Sequence, residues 1–157
     1  MTPAELAKSG TEHAHQRAVI AWANCAALYG FAWADSDLSY DMRTREVLRA
    51  TLGQPYPIPA LKRLFAIHNQ GHGDKIRGNR AKAEGVKAGV PDLMLPVIVD
   101  CYAGLFIELK KPGKHKVSED QTEWLDYLNN AGYVGKSAVG WQEATQHIKN
   151  YAWPLAR

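Results

Sequence analysis

Two short apolar runs constrain the fold of this 157-residue chain more than any other feature. The first covers residues 92–99 and the second residues 105–109, and a turn near residues 100–104 separates them. Neither run alternates regularly between apolar and polar residues, which is the pattern of strands covered on both faces. We therefore predict two neighbouring strands inside a sheet that is packed between helices.

Two capping boxes mark the starts of predicted helices. Ser9 with Glu12 opens the first, whose small and apolar residues recur at three- and four-residue steps up to Gly30. Glu12 and Gln16 continue this buried stripe towards the start of the helix. Ser118 with Gln121 opens a later one, which we expect to bury Trp124, Leu125 and Leu128. We interpret Trp22, Trp124 and Trp141 as core residues. Further predicted elements are a helix over 43–52, strands over 64–68 and 133–139, and helices over 76–84 and 141–151. This order favours an α/β fold, with a mixed central sheet flanked by helices, in one domain spanning residues 1–157.

Charge is distributed unevenly along the chain. The net charge is only +3, but residues 75–116 hold nine Lys and Arg against four Asp and Glu. A basic middle segment suits a polyanionic partner that meets one face of the fold. Lysines that merely solvate helices and turns would give the same count, so charge alone does not decide between the two.

Several classes of protein are disfavoured. No apolar run approaches the ~20 residues needed to cross a bilayer, and the first ten residues lack the pattern of a secretory signal. Cys25 and Cys101 are far apart and form no metal-binding motif. We expect two reduced thiols in a cytoplasmic protein with no membrane segment.

Three charged residues converge on the two central strands. Asp92 opens one strand, and Glu108 and Lys110 close the next on a common face, because side chains alternate along a strand. If the strands pair as a hairpin, Asp92 lies beside Glu108. Two carboxylates suit Mg²⁺, and a lysine beside them can hold or polarise water and offset charge on a phosphate. The alternative is a solvated surface pair, since strands that end in Glu-x-Lys are common on protein surfaces.

The chain resembles the VRR-NUC nucleases of the PD-(D/E)XK superfamily. The matching residues are Glu12 with Gln16, the run 64–69, the run 83–93, the run 106–110, Ser118 with Gln121, Trp124 and Leu125, Gly132-Tyr133 and Gly140-Trp141. They follow one another with ordinary spacings over residues 11–17 and most of 61–151. Residues 31–60 have no counterpart in the core pattern, and we interpret them as a variable insertion.

The resemblance implies a role for five side chains and one carbonyl. Asp92 and Glu108 are similar to the metal-binding carboxylates, and the Leu109 carbonyl to a further ligand. Lys110 resembles the catalytic lysine. Glu12 resembles a first-helix glutamate that completes the site directly or through a metal-bound water, and Gln121 resembles a motif glutamine of the next helix. Both of these last two residues hold the third helical position of a capping box, where their side chains could instead bond the backbone.

The resemblance also implies a restriction-endonuclease-like core and a function. The family's activity is Mg²⁺- or Mn²⁺-dependent hydrolysis of phosphodiester bonds in DNA. Its members favour branched substrates such as Holliday junctions, flaps or splayed arms. Its standalone members come from phages or bacteria, and the resemblance to them implies a homodimer. Candidate phosphate contacts are Lys75, Arg77, Arg80, Lys82, Lys87, Lys111, Lys114 and Lys116, each of which could also be ordinary surface. His68 and His72 flank a turn and could also touch phosphate, although solvated loop histidines are the favoured interpretation.

Two competing functions stay open at this point. A DNA-binding module could keep the fold and its basic face without catalysis, although Asp92, Glu108 and Lys110 are all present. A restriction-type endonuclease would need extra base-reading elements, which only residues 31–60 could supply. A structure-selective nuclease would cleave at a DNA structure, and a restriction-type enzyme would cleave at a short base sequence. The DNA-binding module would not cleave.

Overall fold

The computed structural model describes residues 1–41, 45–67, 83–113 and 116–156 of the chain. Its α-helices are α1 (Pro3–Ala7), α2 (Glu12–Tyr29), α3 (Phe31–Ala34), α4 (Arg45–Leu52), α5 (Glu119–Asn130) and α6 (Gly140–Ala152). Its strands are β1 (Phe65–Ala66), β2 (Leu93–Leu95), β3 (Leu105–Lys110) and β4 (Val134–Val139). Short 3-10 helices cover Asp37–Tyr40, Pro59–Arg63 and Trp153–Ala156.

The strands form one mixed sheet in the order β1-β2-β3-β4. β1 with β2 and β2 with β3 pair antiparallel, whereas β3 and β4 pair parallel. The parallel pair needs a crossover, and α5 supplies it. The predicted α/β architecture with a mixed central sheet is therefore confirmed.

Both faces of β3 are covered, as its continuous apolar run predicts. Leu105, Ile107 and Leu109 are fully buried in a core shared with apolar residues of α2 and α6. Glu108 and Lys110 alternate onto the other face, where α5 packs. β2 is shorter than predicted and ends at Leu95, because proline follows and cannot donate to the ladder.

The start of α2 differs from the prediction. The cap is Thr11, whose hydroxyl accepts from Ala14 N at 3.1 Å, and not Ser9. A short helix with its own capping box, α1, precedes this point, and Gly10 turns the chain with φ +68°. Glu12 is consequently the first residue of α2 and is exposed, so the expectation that it continues the buried stripe was wrong. An acidic residue in the first turn is still favourable to the positive end of the helix.

Gly30 ends α2 as predicted, and replacing it should destabilise the protein. Its φ is +86°, and an added Cβ would overlap the backbone carbonyl of Tyr56. We expect Gly30→Ala to lower the free energy of unfolding by about 2 kcal/mol or more in a urea melt. Gly53→Ala is the matched control, because Gly53 has φ +76° with no atom near its Cβ position, so it reports backbone strain alone. Equal losses in the two variants would contradict the predicted steric overlap.

Helix α5 is confirmed with its capping box, but it is less buried than predicted. Leu128 is buried, whereas Trp124 and Leu125 are half-buried. Trp22 is fully buried, as predicted for a core residue. Trp124 and Trp141 are only half-buried, so the prediction that they lie in the core was wrong. The reason is that α5 covers the polar face of β3, where only part of its surface meets apolar side chains.

The remaining predicted elements agree in type and differ at their ends. The predicted helix over 43–52 is α4, described from residue 45, and the predicted strand over 64–68 is β1, described to residue 67. The predicted strand over 133–139 and helix over 141–151 are β4 and α6. Most of the predicted helix over 76–84 lies outside the described residues. In the described parts of the chain, no helix combines the length and apolar character needed to span a membrane.

Candidate active site

The β2–β3 hairpin brings Asp92 beside the end of β3. Leu93 pairs with Ile107, which sets Asp92 opposite Glu108. Asp92 Oδ2 accepts from Leu109 N at 2.7 Å, and the Asp92 carbonyl accepts from Ile67 N at 2.7 Å. The Asp92 main chain is therefore bonded to the residue after β1, and its carboxylate is bonded to the backbone of β3, beside Glu108 as the sequence pattern predicts.

Glu108 and Lys110 form a buried ion pair on the same face of β3. Lys110 Nζ lies 2.7 Å from Glu108 Oε1, and the two side chains are 12% and 2% exposed. The prediction of a shared face is confirmed, and the alternative of a solvated surface pair is wrong. An ammonium group has three donors, so Lys110 can bond Glu108 and still donate to a water or a phosphate oxygen.

Gln121 joins α5 to this pair. Its side-chain oxygen accepts from Ser118 N at 2.9 Å, which closes the capping box, and its nitrogen donates to Glu108 Oε1 at 2.5 Å. Gln121 makes both the capping bond and the bond to Glu108, because its side-chain amide has an oxygen that accepts and a nitrogen that donates. Its position on α5 thus orients the Glu108 carboxylate.

Glu12 approaches the same site from the start of α2. Burial is the main cause that raises the pKa of both Asp92 and Glu108, and the negative charge of Glu12 adds a smaller contribution to each. Glu12 is not held by the capping-box geometry that the sequence suggested, since it is the first residue of the helix. The structure therefore brings Glu12, Asp92, Glu108, Lys110 and Gln121 together at one end of the sheet.

Burial and crowding of negative charge dominate the electrostatics. Burial raises the pKa of Glu108 to about 7, with the Lys110 hydrogen bond opposing the shift and the Asp92 charge adding to it. Burial likewise raises the pKa of Asp92, and the hydrogen bond from Leu109 N opposes that shift. Three carboxylates with one ammonium leave an excess of negative charge, which a divalent cation would neutralise.

One carboxylate oxygen of the site lacks a partner. Glu108 Oε2 is buried, and no hydrogen bond from the described residues reaches it. A buried unpaired carboxylate oxygen is costly unless something else binds it. No group of three His, Cys, Asp or Glu side chains within residues 1–41, 45–67, 83–113 and 116–156 is close enough to hold a metal alone. Mg²⁺ needs only one or two carboxylates and fills its other positions with water and phosphate, so the residues present fit such an ion.

The loop before β2 is tied to α5 by contacts that the sequence pattern did not reveal. Trp124 Nε1 donates to the Ala88 carbonyl at 2.8 Å. Gly89 has φ +78°, and a Cβ there would lie 2.5 Å from the Asp120 backbone. Trp124 is therefore half-buried and bonds the loop, in contrast to the core position predicted for it. The loop that leads to Asp92 and the helix that carries Gln121 are thereby held together.

The predicted DNA contacts are only partly described. Lys87, Lys111 and Lys116 are exposed. Lys75, Arg77, Arg80, Lys82 and Lys114 lie outside the described residues, as do His68 and His72. Lys111 directly follows the site strand, and Lys87 lies in the loop before β2, so both flank the carboxylates in sequence.

Comparison with known proteins identifies the family. A model of the VRR-NUC domain matches residues 39–139, which is more than half of the chain. The chain belongs to the VRR-NUC family. It therefore contains a nuclease-type, DNA-processing domain. The matched range of this VRR-NUC domain includes Asp92, Glu108, Lys110 and Gln121, whereas Glu12 lies before it.

A solved structure supports the fold of the VRR-NUC chain. A protein described as a VRR_NUC domain protein is 23% identical in sequence and superimposes with a TM-score of 0.59. The superposition covers 90% of this chain and 87% of that one. None of the curated proteins matches the sequence.

Proposed function

We propose that this VRR-NUC domain is a Mg²⁺- or Mn²⁺-dependent endonuclease that hydrolyses phosphodiester bonds in branched DNA. The observation that carries the proposal is Glu108 Oε2, which is buried beside Asp92 and Lys110 and has no hydrogen-bond partner among the described residues. A purely structural ion pair would gain nothing from an unpaired oxygen, whereas a cation site needs one. Preference for junctions, flaps or splayed arms, and action as a homodimer, rest on the resemblance to the family.

The residues divide the chemistry between them. A bound divalent cation would supply Lewis acidity to the phosphate and lower the pKa of water. Asp92 and Glu108 would hold it, with Glu12 at the open side and the Leu109 carbonyl as a further oxygen. Lys110 would donate its free N–H groups to the attacking water or to a phosphate oxygen, where negative charge develops. Gln121 donates to Glu108 Oε1, which would leave Oε2 to bind the cation.

The exposed lysines would bind the DNA backbone. Lys87, Lys111 and Lys116 lie on the surface. Contacts of this kind are independent of base sequence and weaken steeply with salt. This charge pattern supports selection of DNA by shape and backbone more than by base reading.

The direct test is a substrate panel. Purified protein is incubated with end-labelled linear duplex, flap, splayed-arm and four-way-junction DNA, in Mg²⁺, Mn²⁺ or EDTA. We expect cleavage only with metal, faster on branched than on linear DNA, and products with 5′-phosphates that a ligase can join. Binding to branched DNA with no cleavage in either metal would favour the non-catalytic module. Cutting at one short base sequence in linear duplex would favour the restriction-type enzyme.

Gly89→Ala should disrupt the site from a distance. The added methyl group would overlap the Asp120 backbone and push the loop that leads to Asp92 away from α5. A displacement of about 1 Å can reduce a rate by about 10²-fold, and we expect a loss of that order in single-turnover cleavage. Gly85→Ala is the matched control in the same loop, since Gly85 also has positive φ but no atom of the described residues lies within 4 Å of its Cβ position. Similar rates for the two variants would show that contact with α5 does not position Asp92.

A further inference from the structure

A buried histidine joins α2 to the junction of β4 and α6. His15 is 5% exposed, and its Nδ1 accepts a hydrogen bond from Trp141 N at 3.2 Å. Burial lowers the pKa of His15, so the ring is neutral at pH 7 and Nδ1 is free to accept. His13 and His15 cannot bind one metal ion together, because residues two apart point to different sides of a helix.

The contact caps a helix that lacks a cap of its own. Trp141 is the second residue of α6, where backbone N–H groups have no partner inside the helix. The N-cap residue Val139 and the first helical residue Gly140 have no side chain that can accept a hydrogen bond, and Glu143 Oε2 accepts only from Val139 N, at 2.7 Å. His15, more than 120 residues earlier in the chain, takes the place of the usual serine or aspartate.

The junction that His15 holds is adjacent to the candidate active site. Val139 pairs with Lys110 across β3 and β4. A Cβ on Gly140, which has φ +76°, would lie 3.7 Å from His15 Nδ1 and 3.6 Å from Pro112 Cγ. The end of β3, the start of α6 and the first turns of α2 therefore meet at this imidazole.

Glu12 lies one turn before His15 on α2. Residues three apart are neighbours on one side of a helix, so the bond to Trp141 restrains the turn that presents Glu12. Glu12 itself is exposed and is the first residue of its helix, where fraying is greatest. The Thr11 cap and the packing of α1 order the first turn locally, and the bond between His15 and Trp141 N fixes that turn relative to the sheet that carries Asp92 and Glu108.

We propose that His15 is a positioning residue that holds Glu12 at the metal site by anchoring the start of α2 to the β4–α6 junction. The proposal deepens the proposed function and rests on it. His15 touches neither metal nor DNA in this account, and it acts through the placement of Glu12. Both residues lie outside the range matched by the family model.

The test measures Mn²⁺ binding without DNA, by isothermal titration calorimetry. His15→Leu removes the acceptor with little change in volume, and we expect the Mn²⁺ dissociation constant to rise about 10-fold, as for other residues that orient a metal ligand. His15→Asn keeps an acceptor near the position of Nδ1 and should recover most of the affinity. If the leucine variant fails to fold, His15→Phe replaces it, because phenylalanine keeps an aromatic ring at this position but has no acceptor for Trp141 N.

Two controls separate positioning from loss of stability. Ile148→Val removes one buried methyl group from α6 without touching the His15 contact, and it should bind Mn²⁺ as the wild type does. The double variant Glu12→Gln with His15→Leu should bind no more weakly than Glu12→Gln alone, because His15 acts only through Glu12.

The outcomes distinguish this inference from the proposed function. Unchanged Mn²⁺ affinity in folded His15→Leu overturns the inference, as does a further full loss on the Glu12→Gln background or an equal loss in Ile148→Val. Unchanged affinity in Glu12→Gln also overturns it, while the Asp92 and Glu108 site stands. If the wild type binds no Mn²⁺ at all, the proposed metal site fails first and the inference falls with it.

Discussion

Glu108→Gln is expected to abolish cleavage and to raise the melting temperature of the metal-free protein above pH 7. The substitution removes a carboxylate that is 2% exposed and has one oxygen with no hydrogen-bond partner in the part of the chain that the structure describes. It also removes a ligand of the proposed metal, so cleavage should fall by about 10³-fold or more. Stability and activity then change in opposite directions, which a purely structural residue would not show.

The pH dependence of this effect follows from the raised pKa of Glu108. Burial raises it from 4.5 to about 7, so between those values the folded protein binds more protons than the unfolded chain. The stability of the wild type therefore falls as pH rises through this interval, and the loss is complete above it. We expect the glutamine variant to gain on the order of 1–3 kcal/mol at pH 8 and little at pH 4, measured by thermal melts in EDTA.

An exposed glutamate provides the control. Glu123→Gln on α5 removes the same charge at the surface and should change neither cleavage nor the melting temperature appreciably. A Glu108→Gln protein that is less stable than the wild type at pH 8 in EDTA would show that the carboxylate stabilises the fold. In that case the unpartnered oxygen would no longer support a metal site.

Lys110→Met is expected to lower both cleavage and stability. The ammonium group balances the buried Glu108 carboxylate at 2.7 Å, and its loss leaves that charge unpaired. We expect a loss of about 1–3 kcal/mol in EDTA at pH 8, and a fall in the cleavage rate of about 10²–10³-fold at saturating metal. Added Mn²⁺ should restore much of the stability, because the cation replaces the lost positive charge, without restoring the rate.

Lys111→Met is the matched control for charge. Lys111 is adjacent to Lys110 but exposed, so its loss should weaken DNA binding modestly and leave the rate at saturating DNA nearly unchanged. Equal rate losses in the two variants would contradict a catalytic role for Lys110. Both lysines would then act only as general phosphate contacts.

The central pair of the site could be predicted from sequence because it depends on strand geometry. Alternation sets Glu108 and Lys110 on one face, and the hairpin sets Asp92 opposite Glu108. Gln121 could be placed on α5 from its capping box, but its bond to Glu108 could not, since that depends on how α5 packs. The resemblance to the family supplied the expectation that the two meet.

Other features depend on tertiary contacts that leave no local signal. Thr11 competes with Ser9 for the cap of α2, and the extra helix α1 decides in favour of Thr11. The packing of Gly89 on Asp120, which are distant in sequence, follows from the position of a loop and not from any periodic pattern. The bond between His15 and Trp141 joins the first long helix to the last, and propensity rules say nothing about it.

The most direct test of the central claim compares wild-type protein with Asp92→Asn on the best branched substrate, in Mg²⁺ and in EDTA. Asparagine keeps the size of the side chain and an acceptor for Leu109 N, but it removes the charge that a metal needs. The account predicts Mg²⁺-dependent cleavage by the wild type, loss of cleavage in the variant, and unchanged binding of the DNA. Cleavage by the wild type in EDTA, or by Asp92→Asn at the wild-type rate, would contradict it.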